Sequence, residues 1–167
     1  MKKILLVLLV LLSVSASASA QVKRDKFLEK YAGNLKITYQ KITDMEKEIT
    51  TYVVYLTFQN DKYKSLTDIK VIGLYNVADI EQCKKDMKIA FKQMFSGQKV
   101  DMDWRRDKYK LTLYDFSSEL YLSEAKGTGG YTIMSKRAVS DFIEIISTID
   151  FGKEILLPSK TIDELVP

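Results

Sequence analysis

No histidine occurs anywhere in the 167 residues, and there is a single cysteine, Cys83. The first absence removes Ser-His-Asp and Cys-His nucleophile systems, His-containing zinc sites and the usual proton shuttle at neutral pH. The second leaves no intramolecular disulfide, no four-cysteine metal site and no Cys-x-x-Cys redox pair. Two prolines and seven glycines are too few for a low-complexity linker. There is no Asn-x-Ser/Thr sequon. The one unbroken apolar run, Ile4 to Leu12, is far shorter than the ~20 residues that span a bilayer.

That run has the flanks of a signal peptide. Lys2 and Lys3 precede it and the small residues Ala18, Ser19 and Ala20 follow it, which predicts export and cleavage after Ala20. The mature chain then begins at Gln21 rather than a cysteine, so a lipoprotein is not expected. The Lys-rich start and missing sequon fit a bacterial periplasmic or secreted protein. Loss of Lys2 and Lys3 brings basic and acidic residues, 26 and 22 in the full chain, close to balance. Balance and export both argue against a nucleic-acid partner. Residues 21–167 are expected to form a single domain with a loose tail from about residue 158, and no second segment is apolar enough to span a membrane.

Periodicity gives the elements. Val22 to Gly33 reads as a short amphipathic helix, with Phe27, Leu28 and Tyr31 on one side and Gly33 as its stop. Leu35, Ile37 and Tyr39 alternate with polar neighbours, a strand with one wet face. Asp44 to Glu48 is a charged turn. Ile49 to Phe58 is β-branched and aromatic nearly throughout, which predicts a strand covered on both faces. Ile69 to Tyr75 is a further strand.

A long helix follows, capped by Asn76 and closed by Gly97. Val77, Ile80, Cys83, Met87, Ala90, Phe91, Met94 and Phe95 fall within an arc of about 140°, its core stripe, while Ile89 points the opposite way. Strands resume at Val100 to Trp104, Tyr109 to Tyr114, Leu120 to Leu122 and Tyr131 to Met134. Ser135 caps a second helix with Ala138, Val139, Phe142, Ile143, Ile145, Ile146 and Ile149 on its apolar side, and Glu154 to Leu157 reads as a last edge strand. The expectation is an α+β fold: a mainly antiparallel sheet of about six or seven strands, two amphipathic helices packed on one face, in the order βββα-ββββα. The segment Asp-Lys-Tyr-Lys occurs at 61–64 and again at 107–110, but its flanks do not match, so it is no basis for a duplication.

The candidate chemistries are few. Ser-x-x-Lys occurs at Ser96–Lys99 and Ser123–Lys126, but neither serine opens a helix as an acyl-transfer serine would. Gly127 to Gly130 leads into a strand rather than a helix, so it reads as a turn and not a phosphate loop. Asp101 and Asp103, two apart on a strand, share a face and could serve a carboxylate-based hydrolase. The plainer reading is a wet strand face, its charge balanced by Lys99 and Arg105. Lys85, Lys88 and Lys92 line one flank of the first helix and could meet anionic headgroups or an acidic partner. Glu81, four residues before Lys85, fits an ordinary solvated face equally well.

Ten tyrosines among eighteen aromatics exceed what a core requires, and tyrosine is a residue of interfaces. Tyr63 and Tyr109 each stand between two lysines beside a turn. The candidate binding residues are therefore Asp103, Arg105, Arg106, Lys108 and Tyr109, around one hairpin tip. They suggest a non-catalytic exported module that recognises another envelope or extracellular protein and carries no cofactor or metal. One alternative is a carrier of small apolar ligands, with a cavity lined by Met87, Phe91, Met94 and Met102. The other is the hydrolase using Asp101 or Asp103.

Overall fold

The computed structural model describes residues 22–63, 67–104, 108–114, 118–125 and 130–153. The first half forms β1 (Val22–Ala32), β2 (Leu35–Asp44), β3 (Ile49–Gln59), β4 (Ile69–Leu74) and helix α1 (Val77–Ser96). The second half repeats that plan with β5 (Val100–Trp104), β6 (Tyr109–Leu113), β7 (Glu119–Glu124), β8 (Tyr131–Ser135) and helix α2 (Lys136–Ser147). The class is α+β with antiparallel pairing throughout. Instead of one sheet of six or seven strands there are two four-stranded sheets, ordered β1-β2-β3-β4 and β5-β6-β7-β8. The architecture is thus ββββα-ββββα. The edge strand expected at Glu154 to Leu157, and the tail beyond it, lie outside the described residues.

The extra strand is β1, where the sequence suggested a helix. Its pairing with β2 shifts between Lys26 and Leu28, so that Phe27 is inserted as a β-bulge. A bulge turns two successive side chains towards one face and breaks the period of two. Leu28 is buried and Phe27 packs against the same core, which is why these residues mimic helical spacing. Tyr31, the third member of the supposed helical face, is 62% exposed. Gly33 ends no helix. With Asn34 it makes the two-residue turn of the β1–β2 hairpin, at φ 60°, a backbone angle glycine adopts without cost.

The remaining elements follow their sequence signals closely. The Asn76 side chain accepts a 2.8 Å hydrogen bond from the Asp79 amide, and Gly97 closes α1 at φ 70°. Such an N-cap stabilises a helix by about 1 kcal/mol. Ser135 caps α2 by accepting from the Ala138 amide. In α1, Ile80, Cys83, Met87, Ala90 and Met94 are buried. Val77 and Phe95, at the margin of the expected arc, are 56% and 65% exposed, so the buried stripe is narrower than the sequence suggested. β3 is covered on both faces only at Val53 and Val54; Tyr52, Tyr55 and Thr57 are partly open.

One hydrophobic core joins both sheets and both helices. α1 packs along β5, β6 and β7, and α2 packs on β1, β7, β8 and α1. The Asp-Lys-Tyr-Lys segments occupy different places, one after β3 and the other leading into β6, so they are not equivalent positions of the two halves. A polar seam fastens the halves together. Asn60, fully buried, accepts from the amides of Lys62 and Tyr131 and donates to Asp68. Asp61 accepts from the Thr132 hydroxyl and the Ile133 amide. The link after β3 thereby caps amides of edge strand β8, which an open edge would leave available to another chain.

Candidate functional site

The tip between β5 and β6 is the place to begin, because the sequence put its candidate residues there. Arg105 and Arg106 lie outside the described residues, so the tip is defined by what flanks it. Trp104 is buried and holds one end to the core. On the other side Lys108 is exposed and Tyr109 half-buried. These two line a cleft of about 350 Å³ whose opposite wall is β4 and the start of α1: Val71, Ile72, Gly73, Tyr75, Asn76 and Asp79. The Tyr109 hydroxyl donates to the Val71 carbonyl at 3.4 Å, a long contact that bridges the two sheets.

Asp103 does not reach that cleft. With Asp101 it stands on the outer face of β5, and both carboxylates lie 3.7 Å from the Lys110 ammonium on β6. Asp103 pairs directly with Lys110 in the ladder and Asp101 with Thr112. A cation that the sequence reading did not name, Lys110 on the neighbouring strand, thus serves both carboxylates; Arg105, which it did name beside Lys99, lies outside the described residues. Both carboxylates are more than half exposed. Among the described residues no three acidic or thiol side chains are grouped so as to hold a metal ion.

Sequence reasoning missed the wall opposite the tip. β4 is an edge strand, paired only with β3 in its sheet, and its outward positions are apolar. Ile69 is 55% exposed, Val71 52% and Tyr75, just past the strand, 54%. Gly73 separates them; a Cβ there would overlap the Tyr75 ring, which folds back over it. The inward positions Ile72 and Leu74 are buried. The signal was present, since Ile69 to Tyr75 is apolar at six of seven positions counting Gly73. Such a run ordinarily means burial on both faces, and here one face is left open. Lys70, its only charge, turns to the seam and lies 3.3 Å from Glu124 and 3.6 Å from Asp68. Its partial burial works against the ammonium, yet the carboxylates outweigh that and hold its pKa above the ordinary lysine value.

Two further surfaces carry aromatic or basic side chains. Tyr114 meets Tyr121 edge-on, and Tyr121 meets Tyr131, across the outer face of β6, β7 and β8. Along α1, Lys84, Lys85, Lys88, Ile89 and Lys92 line a shallow groove with Glu81. Glu81 pairs with Lys84, not with Lys85 as the four-residue spacing suggested. Of the carrier's proposed lining, Met87 and Met94 are buried in the continuous core, with Phe91 and Met102 packed against it. Comparison of the chain with models of known families, with characterised proteins and with solved structures finds no match.

Proposed function

We propose that this chain is an exported, non-catalytic module that recognises another envelope or extracellular protein. Its binding surface is the outer strip of β4 and Tyr75 together with the β5–β6 tip, where Lys108 and Tyr109 border the intervening cleft. The observation that carries this reading is the exposure of Ile69, Val71 and Tyr75, each above one half. Ile69 and Val71 share the outer face of the edge strand, and Tyr75, just past its end, folds back over Gly73 beside them and beside polar groups. Contiguous exposed apolar surface with a polar rim is the mark of an interaction site, and isolated exposed side chains are not. Tyrosine suits such a site because it offers a large rigid surface with a polar end.

Other observations fit the same reading. The leader-like start, with Lys2 and Lys3 before the apolar run and Ala18 to Ala20 after it, fits delivery to the periplasm or the exterior. The carrier reading needs a cavity where Met87 and Met94 are closely packed. The hydrolase reading needs carboxylates converging on a cleft, whereas Asp101 and Asp103 share an ammonium on an open face.

The test is capture of the partner from an envelope or culture fraction by immobilised chain. Val71→Asp and Tyr75→Ala should each weaken retention about tenfold or more, the loss typical of an interface hot spot. Thermal stability should stay within about 0.5 kcal/mol of the parent, as for surface substitutions generally. Unchanged retention by both variants overturns the assignment of this face.

A further inference from the structure

The outer flank of α1 has a pattern that neither packing nor the proposed recognition face uses. Val77 and Phe95 lie on one line of the helix, about five turns and 27 Å apart, and both are more than half exposed. Between them the same flank carries Lys84, Lys85, Lys88 and Lys92, with Glu81 its single acid. Glu81 is taken up by Lys84, the least exposed of the four, at 2.7 Å. Lys85 stands beside Asp86 and feels its charge. Lys88 and Lys92 have no acidic partner among the described residues. Ile89 borders the groove between the lysines at 38% exposure. At the C-terminal end of the ridge the Lys136 ammonium sits 4.4 Å above the Phe95 ring, adding a cation from α2.

We propose that this ridge rests on the surface of an anionic lipid bilayer. Charge complementarity supplies the attraction, since clustered lysines on a helix are drawn to anionic headgroups within a Debye length of the surface. Shape favours a bilayer over an acidic protein. Along one exposed helix flank Lys85, Lys88 and Lys92 lie within about 60° of arc and can meet a plane together, and the groove they line is shallow, with no deep cleft to hold a folded partner. The apolar residues at each end support the same choice. Phe95, Val77 and Ile89 are placed to enter the headgroup boundary while lysine stems lie along it and keep their ammonium groups in water. The contact is peripheral, and it sets the chain on the membrane without spanning it.

Flotation of the chain from residue 21 with vesicles of phosphatidylcholine, with or without phosphatidylglycerol, tests this directly. Anionic vesicles should carry at least about ten times more protein than neutral ones, and added salt should release it. Lys88→Glu/Lys92→Glu should abolish the difference, and Phe95→Ser should weaken binding to anionic vesicles while leaving its salt dependence. A control of equal charge, Lys23→Glu in β1 with Lys47→Glu in the β2–β3 turn, should bind as the parent does. Equal binding to both vesicle types overturns the proposal, as does an equal loss in the control, which would make net charge the cause. Retention on soluble polyglutamate without flotation on anionic vesicles also overturns it and assigns the ridge to an acidic polypeptide.

Discussion

Tyr39 shows how much one side chain can organise. Its ring is fully buried and packs with Phe27, Tyr52 and Phe151 at 5.5 to 6.2 Å. Its hydroxyl donates to the Lys153 carbonyl at 2.8 Å and accepts from the Gly152 amide at 2.9 Å. This ties the segment after α2 to the middle of β2. Tyr39→Phe keeps the ring and strands those backbone groups, so it should cost about 1–2 kcal/mol in denaturant unfolding. Burial also raises the phenol's pKa, against the opposing pull of the Gly152 amide. The folded chain then holds this proton more tightly than the unfolded one, so the contribution is intact below the ordinary phenol range and is lost as pH rises through the raised value. Lys70 has a raised pKa too and acts with the same sign. The difference between parent and Tyr39→Phe, followed above about pH 10, isolates the tyrosine: it should narrow with rising pH, and a constant difference would contradict this. Cys83 offers a simpler check. At 1% exposure its thiol should resist a thiol reagent in the native chain and react fully once unfolded; rapid native labelling would remove it from the core.

At the scale of elements, what the sequence revealed depended on whether one local signal stood alone. Helix α1 carries a cap, a 3.6-residue period and a closing glycine that agree, and its ends fall where Asn76 and Gly97 place them. β1 carries conflicting signals, because the bulge at Phe27 breaks alternation and Gly33 can end a helix or turn a hairpin. Only pairing with β2 resolves the conflict, and pairing is a long-range property. The same limit hid the strip on β4, since an apolar run does not say which face a neighbour will leave uncovered. Lys110 was missed as the partner of Asp101 and Asp103 because cross-strand neighbours are set by register. Of the candidate site, Lys108 and Tyr109 could be read from the chain and border the cleft, while Ile69, Val71 and Tyr75 could not. The hairpin reading of Gly33 is testable. Gly33→Ala combines a strained φ with a Cβ placed 2.9 Å from that of Ala138. It should destabilise by about 1–3 kcal/mol in thermal or denaturant melts, and an unchanged melt would contradict the turn.

For the whole molecule, the two ββββα halves are bound by a shared core and by the seam of Asn60, Asp61, Lys70 and Glu124. They should therefore unfold as one unit. Trp104, the only tryptophan, is buried in the second sheet, and far-UV circular dichroism averages over both halves. The two probes should give coincident denaturation curves; separated midpoints would show that the halves melt independently. Asn60→Ala leaves the Tyr131 amide and an Asp68 oxygen without this partner, and should cost roughly 2–4 kcal/mol.

Recognition through the β4 strip is tested most directly by placing a photo-crosslinking amino acid at Val71, at Tyr75 and, as a distant control, at Arg137, whose side chain is 92% exposed. Irradiation in the producing cell should give one discrete adduct of the same added mass from positions 71 and 75 and none from 137. No adduct from the strip, or the same products from all three positions, would contradict recognition at this face.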